Sequence, residues 1–125
     1  MSVLDASALL AFLFQESGHD QVLPEIAGGC ISAVNFSEVL GRFVRDGHDP
    51  GLVSRRIRES GLEVVPFEMD DAVLVANLRG QTDRLGLSLG DRACIALAMA
   101  RGIPVITADR QWSELRLPVP VRLIR

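Results

Sequence analysis

The sequence lacks lysine and tyrosine altogether, and it contains no long apolar run. Because a transmembrane helix needs about 18 or more consecutive apolar residues, a membrane span is not expected. The N-terminus has no basic segment ahead of its apolar residues, and Asp5 interrupts them, so a signal peptide is not expected either. These absences predict a cytoplasmic protein.

Cysteine and histidine are scarce, with two of each. Cys30 and Cys94 lie among apolar residues, which predicts two reduced thiols in the core. They form no C-x-x-C motif, so a zinc or redox site built on such a pair is absent. His19 and His48 fall in polar segments that contain glycine and aspartate, which predicts positions on the surface.

Acidic residues outnumber basic ones, which gives a net charge of −3. This balance argues against nucleic-acid binding by simple electrostatic attraction. All 13 basic residues, however, are arginine. The arginine fork can bind a phosphate through two hydrogen bonds, although the same usage can reflect a compositional bias of the genome. An acidic pocket with dispersed arginines is compatible with a metal-dependent enzyme that acts on a phosphodiester.

Length and hydropathy fit one folded domain. The 125 residues are 48% hydrophobic, with a mean hydropathy of +0.25, which excludes a disordered chain. A chain of this length can bury a core without disulfides. No repeat, low-complexity tract or linker divides the sequence. We therefore predict a single domain over residues 1–125.

Short β-prone segments alternate with helical segments along the chain. Strands are predicted over 2–4, 30–33, 62–67, 103–107 and 119–124 from their apolar and β-branched residues. Helices are predicted over 6–14, 20–27, 51–60 and 89–100, with a helical turn at 111–115. A further helix is predicted to begin at a cap, Ser32 or Asn35, and to end at about residue 46. Another is predicted to begin at residue 70 and to continue through 78 toward 85. This alternation favours an α/β domain with a mainly parallel sheet of four to five strands.

Four acidic residues are predicted to reach the same edge of this sheet. Asp5 ends the first strand, Glu38 lies near the start of the helix after the second strand, Asp91 lies near the start of the helix SLGDRACIALAMA, and Asp109 follows the strand IPVIT. Strand C-termini and the N-termini of the helices that follow them share one edge of a parallel sheet. The four carboxylates are therefore expected to converge on one pocket.

Three of these acids also have a purely structural interpretation. Asp91 and Glu38 can complement a helix dipole, and Glu38 can form a surface pair with Arg42 four residues further on. Asp109 can be a turn residue or a helix cap. Asp5 is harder to explain in this way, because its apolar neighbours would desolvate the carboxylate and leave it in need of a partner.

A set of oxygen ligands without histidine or cysteine selects a hard cation such as Mg²⁺ or Mn²⁺. Clustered carboxylates repel one another unless a cation or protons join them. A bound metal ion can activate water and stabilise the leaving oxygen of a phosphodiester. Ser7 and Thr107 place hydroxyl groups beside Asp5 and Asp109. These hydroxyls can assist the acids, or they can simply cap a helix and bond the end of a strand.

The motifs VLDASALLAFLF, ISAVNFSEVL, LSLGDRACIALA and IPVITADR follow one another in this order. In this the chain resembles the PIN-domain ribonucleases, and among them the VapC-type toxins of bacterial type II toxin–antitoxin pairs. The resemblance covers nearly the whole chain and implies a three-layer α/β/α sandwich. It also implies that Asp5, Glu38 and Asp91 bind Mg²⁺ or Mn²⁺, with Asp109 as a residue of the second metal or in a supporting position.

The resemblance further implies the activity and the partners. The expected activity is cleavage of RNA, with inhibition of translation through a structured RNA such as tRNA. The expected partners are a second copy of the chain and a small cognate antitoxin, whose C-terminal segment occupies the active-site groove. Homodimers, and heterotetramers or larger assemblies with the antitoxin, are therefore predicted. An apolar stripe over residues 36–44 and the arginine-bearing helix after it also predict a dimer.

Two other functions are compatible with parts of the pattern. A non-catalytic PIN-fold module would bind RNA or a partner protein without cleavage, although the presence of all four acids argues against it. A phosphatase with an aspartyl nucleophile would need a second acid two residues after the first, and this chain has Ser7 at that position.

Overall fold

Five short strands form one sheet in the computed structural model, which describes residues 1–125. They are β1 (Val3–Leu4), β2 (Cys30–Ser32), β3 (Glu63–Val65), β4 (Val105–Thr107) and β5 (Val121–Leu123). The strand order is β3-β2-β1-β4-β5, and every neighbouring pair is parallel. The predicted α/β class and its parallel sheet are confirmed, with five strands.

Seven α-helices connect the strands. They are α1 (Ala6–Leu13), α2 (His19–Ile26), α3 (Ala33–Arg45), α4 (Pro50–Glu59), α5 (Met69–Asn77), α6 (Arg79–Thr82) and α7 (Leu89–Arg101). Two 3-10 helices, Asp83–Leu85 and Arg110–Glu114, complete the secondary structure. None of the helices combines the length and the hydrophobicity that crossing a bilayer requires.

Alternate residues of the central strands face opposite sides of the sheet, and both sides are buried. Val3 of β1 and Val105 of β4 belong to one hydrophobic core, to which α5 and α7 contribute. Leu4 and Ile106, the next residue of each strand, belong to a second core with α1, α2, α3 and α4. Because both faces need apolar side chains, these strands read as short apolar runs. The three-layer sandwich that the resemblance implied is confirmed.

Two helices begin where capping residues in the sequence predict. The Asp49 carboxylate accepts the N–H of Gly51 at 2.9 Å, and Pro50 occupies the first position of α4. The Ser88 hydroxyl accepts the N–H of Asp91 at 3.1 Å and so caps α7. The start of α7 carries Asp91, so this cap fixes the position of a candidate site residue.

The structure decides two points that the sequence left open. Ser32, and not Asn35, caps α3, because the Ser32 hydroxyl accepts the N–H of Val34 at 3.2 Å. The helix predicted from 70 toward 85 is broken, since α5 ends at Asn77 and a four-residue helix and a 3-10 turn follow. Gly80 lies in this segment, and its low helix propensity weakens a continuous helix.

The cysteines and histidines lie where the sequence predicts. Cys30 and Cys94 are buried and form no disulfide. His19 and His48 are exposed.

β1 lies where the order of the strands reverses. The chain passes from β1 to β2 and β3 on one side, and then returns to β4 and β5 on the other side. In parallel sheets, ligand sites form outside the carboxyl ends of the strands at such a switch point. Asp5 directly follows β1, and Asp109 follows the adjacent β4 by two residues. The topology therefore places the predicted site at the centre of the carboxyl edge.

Candidate active site

Asp5 is buried at the carboxyl end of β1, with only 5% of its surface exposed. Its Oδ2 accepts hydrogen bonds from two hydroxyl groups, Ser7 Oγ at 2.6 Å and Thr107 Oγ1 at 2.9 Å. Both bonds go to the same oxygen, so no side chain holds Oδ1. The carboxylate is thereby oriented by one oxygen and can offer the other to a ligand.

The same two hydroxyls fix the backbone at the end of β4. Ser7 Oγ accepts the N–H of Ala108 at 2.9 Å, and Thr107 Oγ1 accepts the N–H of Asp109 at 3.0 Å. Ser7 lies in the first turn of α1 and Thr107 ends β4. These hydroxyls therefore contact the acid and also bond the end of the strand, which combines the two interpretations that the sequence allowed.

Burial raises the pKa of Asp5 to about 6 from its ordinary value of 3.8. The hydrogen bonds from Ser7 and Thr107 lower this pKa, because they favour the charged form, and the negative charge of Asp91 raises it. Acids whose pKa is strongly perturbed by burial and by a nearby charge are candidates for functional groups. Asp5 meets both conditions.

Glu38 lies in the second turn of α3, and its carboxylate lies against the start of α7. Its Oε1 accepts a hydrogen bond from Asn35 Nδ2 at 3.0 Å. A Cβ atom built on Gly90 would lie 2.5 Å from the same oxygen. The surface pair with Arg42 that the sequence allowed is not formed, because Arg42 pairs with Asp46 at 3.4 Å.

Asp91 belongs to the capping box of α7, and its charge affects the pKa of Asp5. Its Oδ2 accepts the N–H of Ser88 at 2.9 Å, which completes a capping box with the Ser88 hydroxyl. This structural role uses one of the two carboxylate oxygens. The charge of Asp91 also contributes to the raised pKa of Asp5. The two carboxylates are therefore close enough to interact.

Three of the four acids affect the pKa of the Cys94 thiol. It is fully buried on α7, and burial raises the pKa of its thiol well above the ordinary range. The negative charges of Asp5, Asp91 and Glu38 each raise that pKa further. The three carboxylates therefore lie in the neighbourhood of Cys94, and Glu38 lies against Gly90, the residue directly before Asp91.

The Asp109 carboxylate caps a helix. Its Oδ1 accepts the N–H of Gln111 at 2.9 Å and so caps the 3-10 helix Arg110–Glu114. Its charge is not among the main influences on the pKa of Asp5 or of Cys94. Asp109 therefore lies at the end of the strand next to β1 and caps a 3-10 helix.

No group of three or more histidine, cysteine, aspartate or glutamate side chains is arranged to hold a metal ion directly. The residues nevertheless fit Mg²⁺ or Mn²⁺. Mg²⁺ is usually bound through one or two carboxylates and keeps several water molecules. The acids at this edge offer only oxygen atoms as metal ligands. A cation near Asp5 would also favour the charged form that burial disfavours.

Asn35 was considered from the sequence only as a possible helix cap, and its contact with the site was missed. It is fully buried, and its Nδ2 donates both to Glu38 Oε1 and to the carbonyl of Gly90 at 2.8 Å. The sequence did contain a signal for the contact with Glu38, because residues three apart in a helix lie on the same side of it. The contact with α7, however, depends on packing between distant segments.

We expect Asp5 to make the stability of the metal-free protein fall as the pH rises from about 4 to about 6. The folded protein binds this proton more tightly than the unfolded chain, because burial raises the pKa of Asp5. The contribution of Asp5 to the free energy of unfolding is therefore fully present below about pH 4 and is lost above about pH 6. The free energy of unfolding at neutral pH is lower by about 3 kcal/mol as a result. Urea unfolding in EDTA measures the effect, and Asp5→Asn should lack it. The same pH dependence in both proteins would contradict the buried carboxyl.

The family described as "PIN domain" matches residues 2–117 of the sequence. Among curated proteins, no significant match is found.

Several solved structures are similar to this chain at low sequence identity. A toxin–antitoxin complex from Klebsiella pneumoniae is 18% identical with a TM-score of 0.75, over 95% of each chain. A DNA-bound VapBC from Salmonella typhimurium is 19% identical with a TM-score of 0.72, over 100% of each chain. VapBC-5 from Mycobacterium tuberculosis, a member of the VapBC family of toxin–antitoxin systems, is 24% identical with a TM-score of 0.62, over 98% of this chain and 97% of the other.

At these identities the structural likeness shows the fold, and the family match covers nearly the whole sequence. The parallel sheet, its switch point and the acids beside it are consistent with that match. The chain therefore belongs to the PIN domain family.

Proposed function

We propose that this protein is a metal-dependent endoribonuclease that hydrolyses RNA phosphodiester bonds. The observation that carries the proposal is Asp5, a carboxylate almost excluded from water at the switch point of the sheet, together with Glu38, whose carboxylate lies against the start of α7 beside Asp91. None of the three acids forms an ion pair with arginine. Clustered carboxylates without a counter-ion are unfavourable, so a cation site explains their arrangement better than stability does.

In this proposal Asp5, Glu38 and Asp91 hold Mg²⁺ or Mn²⁺, one or two of them directly and the others through water molecules, and Asp109 assists from the end of β4. When bound, such a cation polarises a phosphodiester and stabilises the charge that develops on its oxygens. The protein contributes a fixed geometry. Hydroxyl groups hold Asp5, the capping box holds Asp91, and an amide holds Glu38. These contacts keep the three carboxylates in place against their mutual repulsion.

The proposed biological role is that of the toxin in a toxin–antitoxin pair, acting in the cytoplasm on a structured RNA such as tRNA. Two of the similar structures come from toxin–antitoxin systems, which supports this role. An open cavity of about 330 Å³ between α1, α3 and α4, with Leu13, Phe43, Leu52 and Val53 in its lining, offers a partner protein an apolar surface apart from the candidate acids.

A homodimer is part of the same proposal. Most of the apolar stripe predicted on α3 packs within the chain, since Phe36 and Val39 are buried and Phe43 packs against the core. Val44 at its end is 55% exposed, and Leu52 on α4 is 44% exposed. These residues are the apolar surface that the two helices leave for a second copy or for the antitoxin.

The proposal is tested by incubating the purified protein with total tRNA in Mg²⁺ or Mn²⁺. We expect discrete cleavage products, and none in EDTA. Glu38→Gln should slow cleavage by roughly 100-fold or more, because a cation supplies several kcal/mol of transition-state stabilisation and about 1.4 kcal/mol is worth a factor of ten.

Glu59→Gln is the matched control. Glu59 is an exposed residue at the end of α4 that forms no ion pair, and its variant should cleave at the native rate. RNA binding without cleavage in either metal would contradict the proposal and support a non-catalytic binding module.

A further inference from the structure

A buried amide joins α3 to α7 beside the candidate site. Asn35 has no exposed surface. Its Nδ2 donates to Glu38 Oε1 at 3.0 Å and to the carbonyl oxygen of Gly90 at 2.8 Å. One side chain therefore connects an acid on α3 to the residue directly before Asp91 on α7.

Gly90 provides the space for this contact. It is buried in the first turn of α7, and a Cβ atom at this position would lie 2.5 Å from Glu38 Oε1 and 2.7 Å from Glu38 Oε2. Real Cβ atoms do not approach other atoms so closely. The Glu38 carboxylate therefore occupies the volume that any other residue at position 90 would fill.

Stability alone does not account for an asparagine at position 35. Its Oδ1 is buried without a hydrogen-bond partner, which is unfavourable. The carbonyl of Gly90 lies inside a helix, where the backbone N–H four residues further on is its usual donor. An apolar side chain would thus leave no backbone group unsatisfied and would avoid a buried, unpaired oxygen. The polar side chain is explained by its other contact, the Glu38 carboxylate.

We propose that Asn35 is a positioning residue, which holds the Glu38 carboxylate in the space beside Gly90 and thereby sets the separation of Glu38 from Asp91. This inference rests on the proposed metal-dependent function of the same acids. The amide orients Glu38 by one oxygen, as Ser7 and Thr107 orient Asp5 by one oxygen. Residues that orient the ligands of a metal ion typically change its affinity by 10- to 100-fold when they are replaced.

The first variant is Asn35→Asp, which keeps the shape of the side chain and replaces the donor by an acceptor. Its carboxylate would face Glu38 Oε1 and the Gly90 carbonyl, and both would repel it. Titration of Mn²⁺ into the full-length protein, followed by calorimetry, should show roughly 10- to 100-fold weaker binding than in the native protein. Glu38 should also be displaced in a crystal structure of the variant.

The second variant is Gly90→Ala, which tests the contact from α7. Alanine favours a helix more than glycine does, and the group that must move is the far end of the Glu38 side chain. We therefore expect a folded protein that binds Mn²⁺ roughly 10- to 100-fold more weakly.

Thr82→Val is the matched control for loss of a buried hydrogen bond. Thr82 is fully buried, and its hydroxyl donates to the Leu78 carbonyl at 2.8 Å, within α6 and its N-terminal flank. This variant should be less stable than the native protein and should bind Mn²⁺ with native affinity.

The results separate the positioning role from the metal-dependent function. Native Mn²⁺ affinity in both Asn35→Asp and Gly90→Ala would overturn the positioning role and leave the proposed function standing. A native protein that binds no Mn²⁺ at millimolar concentration would overturn the proposed function, and the positioning role with it. Weak binding in both variants together with native binding in Thr82→Val is the result that supports the positioning role.

Discussion

We expect the Asp5→Asn variant to lose the proposed metal-dependent RNA cleavage and to remain folded, with a higher stability than the native chain at neutral pH. The loss of activity follows from the proposed site, because asparagine removes the charge that would attract the cation to the end of β1. We expect cleavage to slow by roughly 1,000-fold or more, since several kcal/mol of electrostatic stabilisation are lost.

The gain in stability follows from burial. At neutral pH the folded protein carries a charged carboxylate where water is almost absent, which raises the pKa of Asp5 to about 6. A neutral amide avoids this cost of about 3 kcal/mol. Its Oδ1 can still accept the hydrogen bonds that Ser7 and Thr107 donate to the native Oδ2. We therefore expect a higher free energy of unfolding at pH 7 in EDTA.

Both properties are measured on the same preparation, by tRNA cleavage in Mn²⁺ and by urea unfolding. Asp83→Asn is a suitable control, because Asp83 is an exposed acid whose only ion pair is with Arg79. It should retain activity and change stability little. Cleavage by Asp5→Asn at the native rate would show that Asp5 does not belong to the active site.

Replacing Trp112 by alanine will have the largest effect on stability. Trp112 is the largest fully buried side chain, and it packs in the core with α5 and α7. It also lies in the 3-10 helix that Asp109 caps, so it anchors the segment after β4 to the sheet. Deleting a buried aromatic side chain costs about 3–5 kcal/mol in cavity and lost transfer free energy.

Trp112→Phe should be much milder, because it keeps an aromatic ring and removes the indole N–H, which is buried without a partner. Chemical denaturation of the two variants measures the difference. A Trp112→Ala variant within about 1 kcal/mol of the native protein would contradict the anchoring role.

Much of the fold could be predicted because local signals and the global fold agree. β1, β2 and β4 read as continuous apolar runs because both faces of the sheet are covered. The caps Asp49 and Ser88 marked the starts of α4 and α7. The segment from 70 to 85 was predicted less well, because Gly80 weakens the helix without marking the residue, Asn77, at which α5 ends.

The site could be predicted only as far as topology determines it. Parallel strand order brings the residues after β1 and β4 to one edge, which is enough to bring Asp5 near Asp109 in the sheet. It does not determine which way each carboxylate turns. The Asp109 carboxylate caps a 3-10 helix. The Glu38 carboxylate accepts a hydrogen bond from Asn35 and lies against Gly90. Such orientations depend on packing between segments that are far apart in sequence.

The most direct test of the central claim is a crystal structure of the native protein in Mn²⁺, with the metal located by its anomalous scattering. Our account predicts a manganese peak coordinated by Asp5 and by at least one carboxylate oxygen of Glu38 or Asp91. A protein that cleaves RNA in the same Mn²⁺ buffer, but whose crystals show manganese only away from these three acids, would contradict it.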